Sequence, residues 1–223
     1  MKLNVNKIVV LEGLDKTGKS TFSNILKKAY LEKNSNEKLI SHSFPNTNSP
    51  IGNIIRNELG KQNPNIDIVS TPNFLTEMVH FWMHEIYTNV KKNNTHRLNY
   101  IFDRYFVSTL VYQAFYNNSD IDLEFITHMI LSNPIIKIPT DIIILDAPNE
   151  IILQRTLKDK EDNLVDTNDT TDLCILNKRR ECYRKTVDIL VNMGITIHWI
   201  ENVHTHDLNQ LGCELIEKIF KVT

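Results

Sequence analysis

The run Gly13-Leu14-Asp15-Lys16-Thr17-Gly18-Lys19-Ser20 constrains this chain more than any other feature, because it satisfies G-x-x-x-x-G-K-[ST] between an apolar run and a helix-like run. Such a loop works when a strand enters it and a helix leaves it. Successive backbone N–H groups and the helix N-terminus then converge on an anion, and glycine lets the backbone come close. Lys19 is expected to reach the β and γ phosphates of a nucleoside triphosphate. Ser20 is expected to offer its hydroxyl to Mg²⁺, which neutralises charge during phosphoryl transfer. Asp15 is unusual there, because a carboxylate opposes phosphates. It needs Lys16, Lys19 or the donors of a ligand to compensate it; a sugar hydroxyl is one reading and a solvated loop acid the other.

The sequence around the loop repeats its strand-to-helix logic. Short runs at 7–13, 39–45, 100–105 and 141–147 are rich in Ile, Val, Phe or Tyr and end in turn or cap residues, as strands buried on both faces do; 196–201 is a weaker fifth. Helices are expected at 18–33, 51–59, 71–92, 106–116, 149–157, 172–191 and 207–221. Alternation of this kind predicts an α/β fold of the P-loop NTPase class, a parallel sheet flanked by helices with ligands beyond the carboxyl ends of the strands. At 223 residues with no internal repeat, 1–223 is expected to be a single domain. The polar, acid-rich segment 158–172 reads as a surface loop or a small lid.

Charge and cysteines exclude other classes. A net charge of −2 gives no basic surface for a nucleic-acid polymer, whereas a small anion needs only a few placed cations. Cys174, Cys182 and Cys213 form no C-x-x-C pair and suggest a reducing, cytoplasmic setting. Residues 1–7 lack the features of a secretory signal, and no apolar run approaches the roughly 20 residues of a membrane span, so no membrane is expected. The sequons at Asn93, Asn117 and Asn168 are then read as chance.

A second cluster, Asp103-Arg104-Tyr105, closes the apolar run 100–102 and so stands at the ligand end of a strand. Asp103 suits a metal held through water, and Arg104 suits a phosphoryl group gripped in its fork; a plain ion pair at a strand end is the other reading. Asp146 competes with Asp103 for the metal. The Ala147-Pro148-Asn149 that follows looks more like a turn into a helix.

Glu12-Gly13-Leu14-Asp15 with Lys16 to Ser20 and Thr21, Phe44-Pro45 followed by Ile51-Gly52, and Asp103-Arg104-Tyr105 with Ser108, Tyr112 and Gln113 together resemble thymidylate kinases, over residues 7–183. The resemblance implies transfer of the ATP γ-phosphate to dTMP, Mg²⁺ dependence, a five-stranded parallel core, a mobile lid and a homodimer. It implies that Gly13 to Thr21 and Arg155, which leads into the lid, bind ATP. It also gives Asp15 to the acceptor nucleotide, Arg104 to the space between the two phosphate sites, and Lys16 to assistance of transfer. Tyr112 would lie under the deoxyribose and crowd a 2′-hydroxyl, while Ser108, Thr109 and Gln113 would face the base. Asp166-Thr167-Asn168-Asp169 falls on the family's lid segment.

Three departures bear on the substrate. Asn46-Thr47-Asn48 stands where the family has an arginine near the acceptor phosphate, with Arg56 or Lys16 as substitutes. Counting back from Asp103 places the family's base-stacking phenylalanine and its base-reading arginine in His80-Phe81-Trp82-Met83-His84-Glu85, which contains no arginine. Phe81 or Trp82 is then the expected stacker and His84 the expected donor, unless these aromatics face the core. Thr167 replaces a lid arginine. A site that loses polar readers accepts analogues more readily, so a broader deoxynucleoside monophosphate or deoxynucleoside kinase and a non-catalytic nucleotide-binding regulator remain alternatives. A guanine switch does not, because Asn177-Lys178-Arg179-Arg180 lacks the aspartate of N-K-x-D.

Overall fold

The computed structural model describes residues 3–33, 38–61, 63–92, 96–161, 170–202 and 207–220. Five strands, β1 (Val5–Glu12), β2 (Lys38–Ser43), β3 (Leu98–Asp103), β4 (Asp141–Asp146) and β5 (Thr196–Glu201), form one sheet in the order β2-β3-β1-β4-β5, every pairing parallel. The helices are α1 (Lys19–Lys33), α2 (Pro50–Leu59), α3 (Thr71–Lys91), α4 (Phe106–Thr109), α5 (Asp120–Ser132), α6 (Asn149–Glu161), α7 (Leu173–Asn192) and α8 (Leu208–Phe220). A five-stranded parallel α/β sheet flanked by helices is thus the observed architecture.

Alternation along the strands divides the core in two. Val9, Leu11, Ile101, Ile143 and Leu145 pack with Phe22, Leu26 and Tyr30 of α1 and with Leu215, Ile216 and Ile219 of α8. Ile8, Val10, Tyr100, Phe102, Ile142 and Ile144 face the opposite way, toward side chains of α3, α5, α6 and α7. Successive side chains of a strand point to opposite faces, and a sheet covered on both must be apolar on both. The register puts Leu11 opposite Asp103 and Glu12 opposite Ile144. The ends of β1, β3 and β4 therefore open on a common edge.

Local chemistry starts several helices. Ser49 accepts from Gly52 N at 2.9 Å ahead of Pro50, Ser119 accepts from Asp122 N at 3.2 Å, and Asp172 accepts from Cys174 N at 2.8 Å. Two elements depart from the sequence expectation. No helix was expected at α5, which buries Ile126 and Ile130 yet exposes Ile121 and Leu131, so that apolar residues on both sides hide its period. The expected helix at 106–116 is α4 followed by a π-helical stretch, Leu110–Phe115, with Tyr116 N donating to Val111 O at 2.9 Å and Ser119 N to Ala114 O at 2.7 Å.

Helix α6 runs to Glu161, so the first part of the expected lid is helical. Residues 162–169 of that expectation, with Asp166, Thr167, Asn168 and Asp169, lie outside the described residues, as does Asn93, while 170–172 lead into α7. Among the described residues no helix is long and apolar enough to cross a membrane.

Candidate active site

The loop between β1 and α1 owes its shape to two glycines. Gly13 has φ 137° and a Cβ there would strike the Leu145 carbonyl oxygen; Gly18 has φ 95° and a Cβ there would lie 2.7 Å from Asn202 Nδ2. Asn202, just past β5, donates to the Thr17 carbonyl at 2.7 Å, and the Thr17 hydroxyl donates to Leu14 O at 2.9 Å. Both bonds set the loop's curvature. Lys19 is buried, donates to Leu14 O at 2.5 Å and stands 4.0 Å from Asp15. Burial, with the neighbouring Arg104 charge, lowers its pKa to about 8.

Arg104, just past β3, ties the loop to the start of α4. Its backbone holds φ 65° and its N–H donates to Leu11 O at 2.9 Å. Its guanidinium donates to Asp15, to Gly13 O at 3.2 Å, to Ser108 Oγ at 3.1 Å and to Tyr183 OH at 3.4 Å. Burial alone would raise the Asp15 carboxyl, but Arg104, Lys19 and Arg179 outweigh it and hold it at about 2. The compensation that the sequence left open among Lys16, Lys19 and the donors of a ligand comes first from Arg104.

Beneath this pair lies Glu12, wholly buried, which accepts from the Tyr105 and Ser108 backbone N–H groups at 2.8 and 3.2 Å, from Ser108 Oγ at 2.7 Å and from Tyr183 OH at 3.3 Å. Burial pushes its carboxyl upward. Tyr183 and Glu12 thus fix Ser108 and Arg104 from behind, a role that sequence reasoning did not assign to either. Arg179 is a second omission. Its guanidinium lies 5.3 Å from the Tyr112 ring centroid and 5.2 Å from that of Tyr116. The Arg179-Arg180 doublet inside a helix was the available signal.

Ser20 Oγ donates to Asp103 Oδ2 at 3.1 Å, so a hydroxyl and a carboxylate face one point beside the loop. These hard oxygen donors fit Mg²⁺, which keeps waters and substrate phosphates as its other ligands. Among the described residues no group of three or more His, Cys, Asp or Glu forms a cage for an ion. Asp146, the competing acid, accepts from Arg180 Nε at 2.7 Å and from Ala147 N at 2.8 Å. It serves the turn into α6.

Two cavities meet along Asp15, Arg104, Arg56, Phe44 and Pro45. The first is lined by the loop residues Lys16, Gly18, Lys19, Ser20 and Thr21 together with Asp103. Arg155 lies behind its wall and donates to Lys16 O at 2.7 Å. Thr47 and Arg56 line this cavity together, so Arg56 brings a cation to the place where the sequence lacks one. The second cavity is lined by Ser108, Thr109, Tyr112 and Gln113 on one side and by Leu59, Phe74 and Met78 on the other. The π-helical stretch carries Tyr112 and Gln113 to it.

The expectation for Phe81, Trp82, Met83 and His84 is corrected here. None of them lines the second cavity. Phe81 packs on His42, Phe44 and Phe102 with centroids 4.3, 5.6 and 5.4 Å apart; Trp82 is fully buried and donates from Nε1 to Tyr105 OH at 2.6 Å. His84 is exposed, 3.4 Å from Thr88 Oγ1. The side chains at the cavity are Phe74 and Met78, one turn apart on α3. Seven residues make nearly two turns, so Phe74 and Phe81 share a face and periodicity could not separate them.

The opposite wall is pinned by Glu77. Its Oε1 accepts from Asn46 N at 2.7 Å and from Ser49 Oγ at 3.4 Å, while Oε2 has no hydrogen-bond partner among the described residues. Burial raises this carboxyl to about 7 against those two hydrogen bonds. Phe44 N donates to Asp103 O at 3.0 Å ahead of a cis Phe44–Pro45 peptide, joining the same wall to β3.

A family model described as thymidylate kinase matches residues 11–206. Among solved structures, a thymidylate kinase from Ehrlichia chaffeensis is similar in fold, with a TM-score of 0.63 at 20% identity, covering 95% of this chain and 97% of that one. No curated protein sequence matches.

Proposed function

Because the chain belongs to the thymidylate kinase family, we propose that the two cavities hold its two nucleotides and that phosphoryl transfer from ATP to dTMP, giving dTDP, occurs across the Asp15–Arg104 pair. The observation that carries this arrangement is that Asp15 and Arg104 line both cavities, one walled by the phosphate-binding loop and the other by Phe74, Tyr112 and Gln113.

The loop amides from Gly13 to Thr21 and Lys19 hold the ATP phosphates, and Arg155 supports the loop through Lys16. Arg56 and Arg104 hold the acceptor phosphate. Phe74 stacks on the base, Ser108, Thr109 and Gln113 face its edge, and Tyr112 lies under the sugar. An oxygen of the dTMP phosphate attacks the γ-phosphorus in line; the new P–O bond forms as the bond to the β-phosphate oxygen breaks, and ADP departs with the electron pair. The nucleophile is already anionic, so positioning and charge stabilisation suffice and no strong base is needed. Ser20 and Asp103 would hold Mg²⁺, which would supply neutralisation of the phosphate charge. The proposal includes a single domain over 1–223, a cytoplasmic location and a homodimer. Exposed apolar side chains on the neighbouring helices α3 and α5, among them Met83, Tyr87, Ile121 and Phe125, suit subunit contact.

The test is a panel of dTMP, dCMP, dGMP and dAMP with ATP and Mg²⁺, read as ADP release, with Lys19→Ala beside the wild type. Preference for dTMP and loss of transfer in the variant are expected. Near-normal turnover by Lys19→Ala would sink the site. Equal use of all four acceptors would favour the broader kinase, a relevant alternative because Met78 places no charge at the base wall.

A further inference from the structure

Helix α6 grips the phosphate-binding loop twice at one residue. Arg155 Nη1 donates to the Lys16 carbonyl at 2.7 Å, and one turn further along the same helix Asp159 Oδ2 accepts from Lys16 Nζ at 2.6 Å. Residues four apart share a helix face, which lets α6 hold both the backbone and the ammonium of residue 16. Lys16 has a left-handed backbone with φ 63°. Both members of the ion pair line the cavity assigned to the transferring phosphates, with side-chain exposures of 20% and 32%.

A carboxylate in an anion pocket works against ground-state binding, since it repels the triphosphate and occupies a cation that would otherwise attract it. Its presence needs a compensating function. A lysine carries a point charge on a flexible stem, and an ammonium that wanders is badly placed to meet charge as it develops. An acceptor fixed on a helix restricts that wandering in advance, which is how preorganisation favours the transition state over the ground state.

We infer that Asp159 is a positioning residue for phosphoryl transfer: it holds the Lys16 ammonium at the transfer cavity, raising kcat while weakening ground-state binding of ATP. The inference rests on the reading that Lys16 assists transfer. Asp159 acts through Lys16 and touches no reacting atom.

Steady-state kinetics of the full chain with ATP and dTMP separate the two readings. Lys16→Met tests the lysine by itself: a kcat loss supports its role, and wild-type turnover overturns that role and the inference with it. Given that loss, Asp159→Asn is expected to lower kcat about tenfold and also to lower the KM for ATP. Asp159→Glu should restore most of the turnover, and Asp159→Asn should cost nothing further in the Lys16→Met background. Full turnover by Asp159→Asn, a loss of kcat accompanied by weaker ATP binding, or additive losses in the double variant would each overturn the inference.

Discussion

At the scale of single residues the site is a matter of charge held out of water. Arg104 joins Asp15, Gly13, Ser108 and Tyr183 in one set of contacts, and Lys19 and Arg179 add positive charge to Asp15. A carboxyl held at about 2, below its ordinary 3.8, stabilises the fold above that ordinary value, and the contribution disappears as pH falls through about 2. Asp15 is therefore ionised at any working pH. Replacing it with Asn should leave Arg104 without its nearest charged partner and raise the KM for dTMP about tenfold or more; acceptor affinity unchanged from wild type would return Asp15 to a solvated loop acid. Lys19 behaves in the opposite sense. Its pKa of about 8 means that its charge is lost as pH rises. Affinity for ATP measured by titration calorimetry should fall between pH 7 and 9, and Lys19→Arg should flatten that fall. A flat wild-type profile would contradict the buried-ammonium account. Replacing Tyr112 with Ala should admit ribonucleotide acceptors, with unaltered sugar discrimination as the outcome that removes its assigned place.

At the scale of elements, α3 carries two aromatic sites that one period cannot tell apart. Phe74 lines the second cavity and Phe81 packs in the aromatic cluster of His42, Phe44 and Phe102. Phe74→Ala should therefore weaken dTMP binding by about 1–3 kcal/mol, the value of a base stacked on an aromatic ring. It should leave the melting temperature nearly unchanged. Phe81→Ala should instead cost about 3 kcal/mol of stability. Reversal of that pattern would restore the placement expected from counting back along the sequence. The same helix carries Glu77, whose buried carboxyl holds the Asn46 loop. Its pKa is raised from 4.5 to about 7, so its contribution to stability is complete below 4.5 and is lost as pH rises through 7. Thermal unfolding across pH 5 to 8 should show a decline that Glu77→Gln reduces; equal slopes in the two proteins would exclude Glu77 as the source.

At the scale of the whole molecule, one sheet joins two cores, with α1 and α8 on one face and α3, α5, α6 and α7 on the other. Every strand contributes to that continuous sheet, so the faces are expected to unfold together. Denaturation followed by fluorescence, including that of buried Trp82, and by circular dichroism should give coincident curves. ATP and dTMP should each raise the midpoint according to their occupancy. Two separated transitions would argue against a single domain.

The loop motif and five short apolar runs were enough to determine the α/β class and the phosphate-binding end, because strand burial and the glycine-lysine pattern are local properties. Asp103-Arg104 could be placed at a strand end for the same reason. Only tertiary structure decided that Arg104 rather than Lys16 neutralises Asp15, that Lys16 meets Asp159, and that Phe74 rather than Phe81 lines the second cavity. Each of those depends on which elements lie side by side. A helix presents residues two turns apart on almost the same face, and packing of α3 against α2 and α4 selects between them.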